Sequence, residues 1–242
     1  MPDATPPPAA NPATPAIPGD PAAILFDLDG TVVDTLPARR EAWLRTFREV
    51  GIPADGDHID GLLGSDGKRL AREVAALAGR TLDDARAEAI DRRAGELFGQ
   101  LNVDPKPLPG IVALLTAIGR SGILEWAIAT SSRAEQVAAS IGALGLGEAP
   151  RVIDGSSVKH AKPAPDLLLL AAEKLDLSPR RCWYVGDATW DMLAAKAAGM
   201  PAIGVTSGAV DAAALRRAGG QMIFPDAAAL HDELRTRGLV AG

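Results

Sequence analysis

The sequence predicts an α/β protein: a doubly wound parallel sheet, interrupted after its first strand by an inserted all-helical domain. Three observations carry this. From about residue 105 onward, apolar runs of strand length alternate with helical patterns, as in parallel strands joined by crossover helices. A lone strand pattern, Ile24-Leu25-Phe26, lies far upstream. Between the two, from Pro37 to Asn102, only helical patterns occur. The lone strand most economically joins the same sheet, which leaves the helical block as an insertion. The expected divisions are a Pro/Ala-rich arm over 1–20, a core domain over 21–36 and 105–242, and a helical domain over 37–104.

Composition bounds the function. A formal charge of −6 with no basic block argues against a nucleic-acid or anionic-membrane surface. One cysteine, Cys182, excludes an internal disulfide and fits a reducing compartment, so a cytoplasmic location is expected. Its place in Cys182-Trp183-Tyr184-Val185 makes it a small buried strand residue rather than a nucleophile. The three histidines are too scattered for a His-based metal site. No window approaches 18 uninterrupted apolar residues, so no membrane span is expected. The first twenty residues carry no Lys or Arg and no apolar stretch, unlike a secretory signal. Their repeated prolines predict a disordered arm.

The elements follow in order. A strand over about 22–27 turns at Gly30 into a helix starting near Pro37, a residue well tolerated in a first helical turn. Trp43, Leu44, Phe47 and Val50 recur there at helical spacing, with arginines on the other face. Further helices are expected over 66–78 and 83–98. Past the prolines of 105–110, strands are expected over 124–129, 151–154, 181–186, 201–205 and 221–224. Helices are expected over 132–141, with a capping box in Ser132 and Glu135, over 166–175, and over 191–198, ended by Gly199. The last two strands are each followed by a helix.

In such sheets ligands bind beyond the carboxyl ends of the strands. Those ends supply Asp27 and Asp29, then Thr130-Ser131-Ser132, then Lys159-His160-Ala161-Lys162, then Gly186-Asp187 with Asp191 four residues on. Two carboxylates at i and i+2 of an extended segment point the same way and, if buried, need a cation or a proton between them. Each piece also has a plain structural reading. The aspartates of the first strand suit a turn cap, Thr130 and Ser131 suit N-caps, Lys162 suits a solvated loop, and Asp187 suits a cap for the helix holding Asp191. Together they describe a hard-cation site beside an anion site. Acidic oxygens without His or Cys select Mg²⁺ over zinc, hydroxyls at a helix N-terminus suit phosphate, and a lysine adds a point charge.

The motifs resemble those of the haloacid dehalogenase-like superfamily. Asp27-Leu28-Asp29-Gly30-Thr31-Val32-Val33-Asp34 is similar to its motif I and Ile128-Ala129-Thr130 to motif II. Lys162-Pro163-Ala164-Pro165-Asp166 is similar to motif III, and Gly186-Asp187-Ala188-Thr189-Trp190-Asp191 to motif IV. The likeness spans about 22–225 and implies a Rossmann-like core whose helical insertion is a C1 cap. It points to the branch of phosphoglycolate phosphatases and β-phosphoglucomutases. It further implies Asp27 as nucleophile and metal ligand, Asp29 as acid/base that lends the metal a backbone oxygen, and Asp187 as metal ligand. Asp191 would orient that shell. Thr130, Ser131 and Lys162 would hold the phosphoryl oxygens, Mg²⁺ would be the cofactor, and a small phosphate ester the partner.

Departures from the pattern narrow the activity. Dehalogenases of the superfamily lack the second motif I aspartate, which is present here as Asp29. The mutase branch carries a histidine ten residues after that aspartate, where this chain has Arg39. A phosphatase remains, with a phosphosugar mutase or a non-catalytic phosphate binder as alternatives. Gly64-Ser65-Asp66-Gly67-Lys68-Arg69 occupies the place of the specificity loop, so Lys68, Arg69 and Arg39 are candidates for substrate contact or, equally, solvated surface cations. Carboxylated phosphates such as phosphoglycolate and small sugar phosphates both fit. Oligomeric state is not legible.

Overall fold

The computed structural model describes residues 18–241. In chain order the elements begin with β1 (Ala23–Phe26) and β2 (Val33–Asp34). The helices α1 (Leu36–Glu49), α2 (Gly56–Leu62), α3 (Gly67–Leu77) and α4 (Asp84–Leu101) follow. Next come β3 (Lys106–Pro107), α5 (Ile111–Ser121), β4 (Glu125–Ala129), α6 (Ala134–Ala143), β5 (Val152–Ile153) and α7 (Asp166–Lys174). The chain closes with β6 (Cys182–Gly186), α8 (Thr189–Ala198), β7 (Ala202–Val205), α9 (Ala212–Ala218), β8 (Met222–Phe224) and α10 (Ala227–Thr236).

Six strands form one parallel sheet in the order β5-β4-β1-β6-β7-β8. The chain builds outward from β1 on one side, then returns to build outward on the other. The carboxyl end of β1 therefore lies at the reversal of strand order, where this architecture opens a crevice for ligands. Side-chain alternation divides β1 between two layers. Ile24 and Phe26 join a core with residues of α5 and α10. Ala23 and Leu25 face α7, α8 and α9, among small residues such as Ala127, Ala129 and Cys182. Phe26 is fully buried, so Phe26→Ala would cost about 3–5 kcal/mol.

Helices α1 to α4 enclose a third core around Trp43, Phe47, Ile59, Leu70, Val74 and Ile90, with Trp43 stacked on Phe47. The antiparallel pair β2–β3 marks where the chain leaves the sheet and returns to it. No helix among the described residues is long and apolar enough to cross a membrane.

Several details differ from the sequence pattern. Helix α2 has only Ile59 and Leu62 buried, too few to print a period. Helix α5 opens with the unbroken apolar run Ile111-Val112-Ala113-Leu114-Leu115, although its buried residues Ile111, Leu114, Leu115 and Ile118 keep the helical period. Helix α6 starts at Ala134 rather than at 132, because Ser132 turns its hydroxyl to a carboxylate instead of capping. The cap contact comes from Gln136, whose Oε1 accepts the Arg133 N–H at 3.2 Å. The expected arm falls outside the described residues from 1 to 17. Its last three residues are held down: Arg237 bonds Pro18 O and Asp20, and the Trp183 indole donates to Gly19 O.

Candidate active site

Asp27 follows β1, and its backbone N–H still donates to Val185 O at 2.8 Å, so the sheet itself fixes it. Its carboxylate accepts from the Lys162 ammonium at 2.6 Å, and the same nitrogen lies 2.7 Å from Asp191 Oδ1. Lys162 sits on the turn ahead of α7 but is only 1% exposed, so it is not a solvated lysine. The Tyr184 hydroxyl joins this group, 3.3 Å from both Lys162 Nζ and Asp191 Oδ1 and 3.1 Å from Ala129 O. Asp191 Oδ2 accepts the Ala188 N–H, closing the first turn of α8.

Asp187 directly follows β6 and accepts the Thr31 hydroxyl at 2.8 Å. It lies between two glycines whose missing side chains make room for it. A Cβ on Gly208 would collide with its Oδ2, as would one on Gly30, whose φ of +84° independently favours glycine. Oxygens of Asp27, Asp187 and Asp191 lie within 4.8 Å of one another.

Three buried carboxylates thus face one ammonium, and the shortfall shows in their acidities. Burial, with the Asp191 and Asp29 charges and against Lys162, pushes the Asp27 carboxyl up to about 7. Burial and the neighbouring Asp191 and Asp27 push Asp187 well above the usual carboxylate range. Burial works against the Lys162 charge, but Asp191 and Asp27 outweigh it and hold the ammonium well above its ordinary value. A cluster short of positive charge and built only of oxygen donors fits a hard divalent cation such as Mg²⁺.

Asp29 turns away from this cluster. Its carboxylate accepts from Thr35 at 2.5 Å, Ser132 at 2.6 Å and Arg39 at 2.8 Å. Burial is the largest single influence and pushes its carboxyl up. The Arg39 charge and these hydrogen bonds together prevail and hold it below the usual value. Arg39 also donates to Ser132 and lies 3.7 Å from the centre of the Phe98 ring.

Thr130 is buried and accepts the Ser132 N–H at 3.1 Å, while the buried Ser131 Oγ has no partner. Beyond them, between the helical segment and the sheet, opens a cavity of about 490 Å³ lined by Asp29, Arg39, Lys68 and Ser131 among others. Lys68 lies 3.6 Å from Glu88. Arg69 is not brought to the cavity: it pairs with Glu73 at 2.6 Å and lies over the Trp190 ring. Across the same junction, the Asp66 N–H donates to Lys162 O at 3.1 Å and the Trp190 indole to Gly61 O at 3.1 Å.

Other residues at the site escaped the sequence pattern. Thr31 and Thr35 sit in or beside the opening acidic stretch but gave no sign of their acceptors. Tyr184 reads as one more apolar strand residue. Gly208 lies shortly after the end of β7, so the strand-end rule, applied to that strand as well, would have found it. Arg133, Glu88 and Asp91 look like an ordinary charged surface until α4 and α6 meet.

Comparison with known proteins adds to this geometry. A family model described as haloacid dehalogenase-like hydrolase matches residues 21–199. Fructose-1-phosphate phosphatase YqaB of Escherichia coli (strain K12) is 33% identical over 185 residues, 76% of this chain and 96% of that protein. Phosphoglycolate phosphatase 1 of Pseudomonas aeruginosa is 32% identical over 194 residues, 78% of this chain and 70% of that protein. A hydrolase from Pseudomonas syringae, known from its crystal structure, superposes with a TM-score of 0.82 at 30% identity. That match covers 89% of this chain and 98% of the other.

Proposed function

Because this chain belongs to the haloacid dehalogenase-like hydrolases, we propose that it is a Mg²⁺-dependent phosphatase of small phosphomonoesters acting through an aspartyl-phosphate. The observation that carries this reading is the division of labour at the end of β1. Asp27 lies in a buried group short of positive charge, while Asp29, two residues on, is held apart by Arg39, Ser132 and Thr35.

Asp27, Asp187 and the backbone carbonyl of Asp29 would hold the cation, with Asp191 fixing Lys162 beside them. Bound there, Mg²⁺ would neutralise charge on the phosphoryl group and the nucleophile. A phosphomonoester needs such charge compensation and an in-line nucleophile above all. An Asp27 oxygen forms the new bond to phosphorus as the bond to the leaving oxygen breaks, and Asp29 gives that oxygen a proton. Water then attacks phosphorus and passes its proton to Asp29, and the Asp27–phosphorus bond breaks to release phosphate. The conformation described is the ionised Asp29, ready for the second half. Acting as acid in the first half requires it to take a proton and give up Arg39. Lys162, Thr130 and Ser131 would hold the phosphoryl oxygens, and the unpartnered Ser131 hydroxyl is the donor with most to gain. Helices α1 to α4 would serve as the cap, shutting out bulk water.

p-Nitrophenyl phosphate tests this directly. Phosphate release that requires Mg²⁺ and stops on chelation is the expected result. No release with Mg²⁺ present would leave a phosphate binder and overturn the proposal.

A further inference from the structure

We infer that the cavity selects neutral, polyhydroxylated monophosphates of the sugar or sugar-alcohol kind over esters that carry a second anionic group. This rests on the phosphatase reading and specifies the leaving group that reading left open.

The pairing of charges around the cavity carries the inference. Arg133 lies 2.8 Å from Glu88 and 3.0 Å from Asp91, Lys68 lies 3.6 Å from Glu88, and Arg39 lies 2.8 Å from Asp29. All three cations are therefore committed to carboxylates. The remaining lining cation, Lys159, is exposed, where solvent and salt screen it. The carboxylates are not exhausted in the same way, because each offers about four acceptor positions. A substrate hydroxyl can donate to Glu88 or Asp91, whereas a substrate carboxylate can only accept and finds no unpaired buried cation.

Its charge would also be unwelcome. Burial, together with the Glu88 and Asp66 charges, already raises the Asp91 carboxyl despite Arg133. Admitting another anion would set it beside the Glu88, Asp91 and Asp66 carboxylates, while drawing Arg133 from its half-exposed partners would return little. Size and lining agree. About 490 Å³ lies within the roughly 300–1,000 Å³ range of pockets that enclose drug-sized ligands, far more than a two-carbon acid fills. Trp43, Leu63 and Phe98 supply apolar lining for the C–H faces of a carbon chain whose hydroxyls reach Glu88 and Asp91.

The test compares kcat/KM for sorbitol 6-phosphate and fructose 1-phosphate with values for phosphoglycolate and 3-phosphoglycerate, using p-nitrophenyl phosphate as a reference. The polyol esters are expected to lead by about tenfold or more. Turnover of p-nitrophenyl phosphate with the two acids equal or ahead would overturn the inference and leave the phosphatase intact. No turnover of any ester would overturn both. Asp91→Asn removes one carboxylate charge and loosens Arg133, so it should narrow the lead by about tenfold, through KM for the polyols. Glu88→Gln, at a side chain 39% exposed and so harmless to folding, should narrow it in the same direction. An unchanged ratio in both variants would remove Glu88 and Asp91 from substrate recognition.

Discussion

The molecule treats two groups of charges in opposite ways. At the end of β1, Asp27, Lys162, Asp187 and Asp191 are between 0 and 4% exposed, and carboxylates outnumber the ammonium three to one. Around the cavity, the Lys68, Glu88, Asp91 and Arg133 side chains keep 24 to 40% exposure and stand two against two. The first group is fixed by the sheet and unbalanced, so it calls for a cation and a dianion to complete it. The second is balanced and wet, so its partners exchange at small cost. On the readings proposed above, the buried charges would serve the reaction and the half-exposed charges the choice of ester.

The largest effect should come from the buried group. Asp27→Asn should reduce phosphate release by at least about 10⁴-fold in steady-state assays, as when a covalent nucleophile is lost, and appreciable residual turnover would break the comparison at its centre. Asp29 stands between the two groups, and Asp29→Asn should cost on the order of 10²–10⁴-fold in kcat. The rise in melting temperature on adding Mg²⁺ should survive in that variant, since the carboxylate lies outside the cation cluster; its loss would place the Asp29 carboxylate itself, and not only its backbone carbonyl, among the metal ligands.

A pH series without metal probes the charge imbalance itself. Folding raises the Asp27 carboxyl from 3.8 to about 7 and raises Asp187 too. Between those values the folded protein keeps protons that the unfolded chain has released, so stability should fall as pH climbs from about 4 to 7. Asp29, shifted downward, opposes this only below about pH 4. Calorimetry should show the melting temperature dropping over that window and Mg²⁺ flattening the slope. A rise with pH in metal-free protein would show the cluster already balanced. The smallest effect belongs to Arg133→Gln: these half-exposed pairs should contribute under about 1 kcal/mol to stability, readable as a melting shift of a few degrees.

The same division explains how much was legible in the sequence. Strands β1, β4 and β6 stand out as apolar runs, and Asp27, Thr130, Lys162 and Asp187 stand out as polar residues beyond the strand ends. Their partners did not. Thr31 reaches Asp187 across 156 positions and Lys162 reaches Asp27 across 135, pairings that only the closed sheet creates. Ser132 looked like a helix cap because a local pattern offered that use, but an ionised acceptor 103 residues away holds it more strongly. Arg69 looked available for substrate, while its i+4 neighbour Glu73 and a tryptophan from another motif had claimed it. Half-exposed pairs such as Arg133 with Glu88 carry no sequence mark, because they look like any solvated helix face.

Lys162 belongs to both sides of this division. Its ammonium holds Asp27, and its carbonyl receives the Asp66 N–H from the loop ahead of α3. Lifting that loop off the sheet would break its hydrogen bond to the peptide unit whose ammonium pairs with Asp27. Deuterium uptake at the Asp66 amide would then report any such opening.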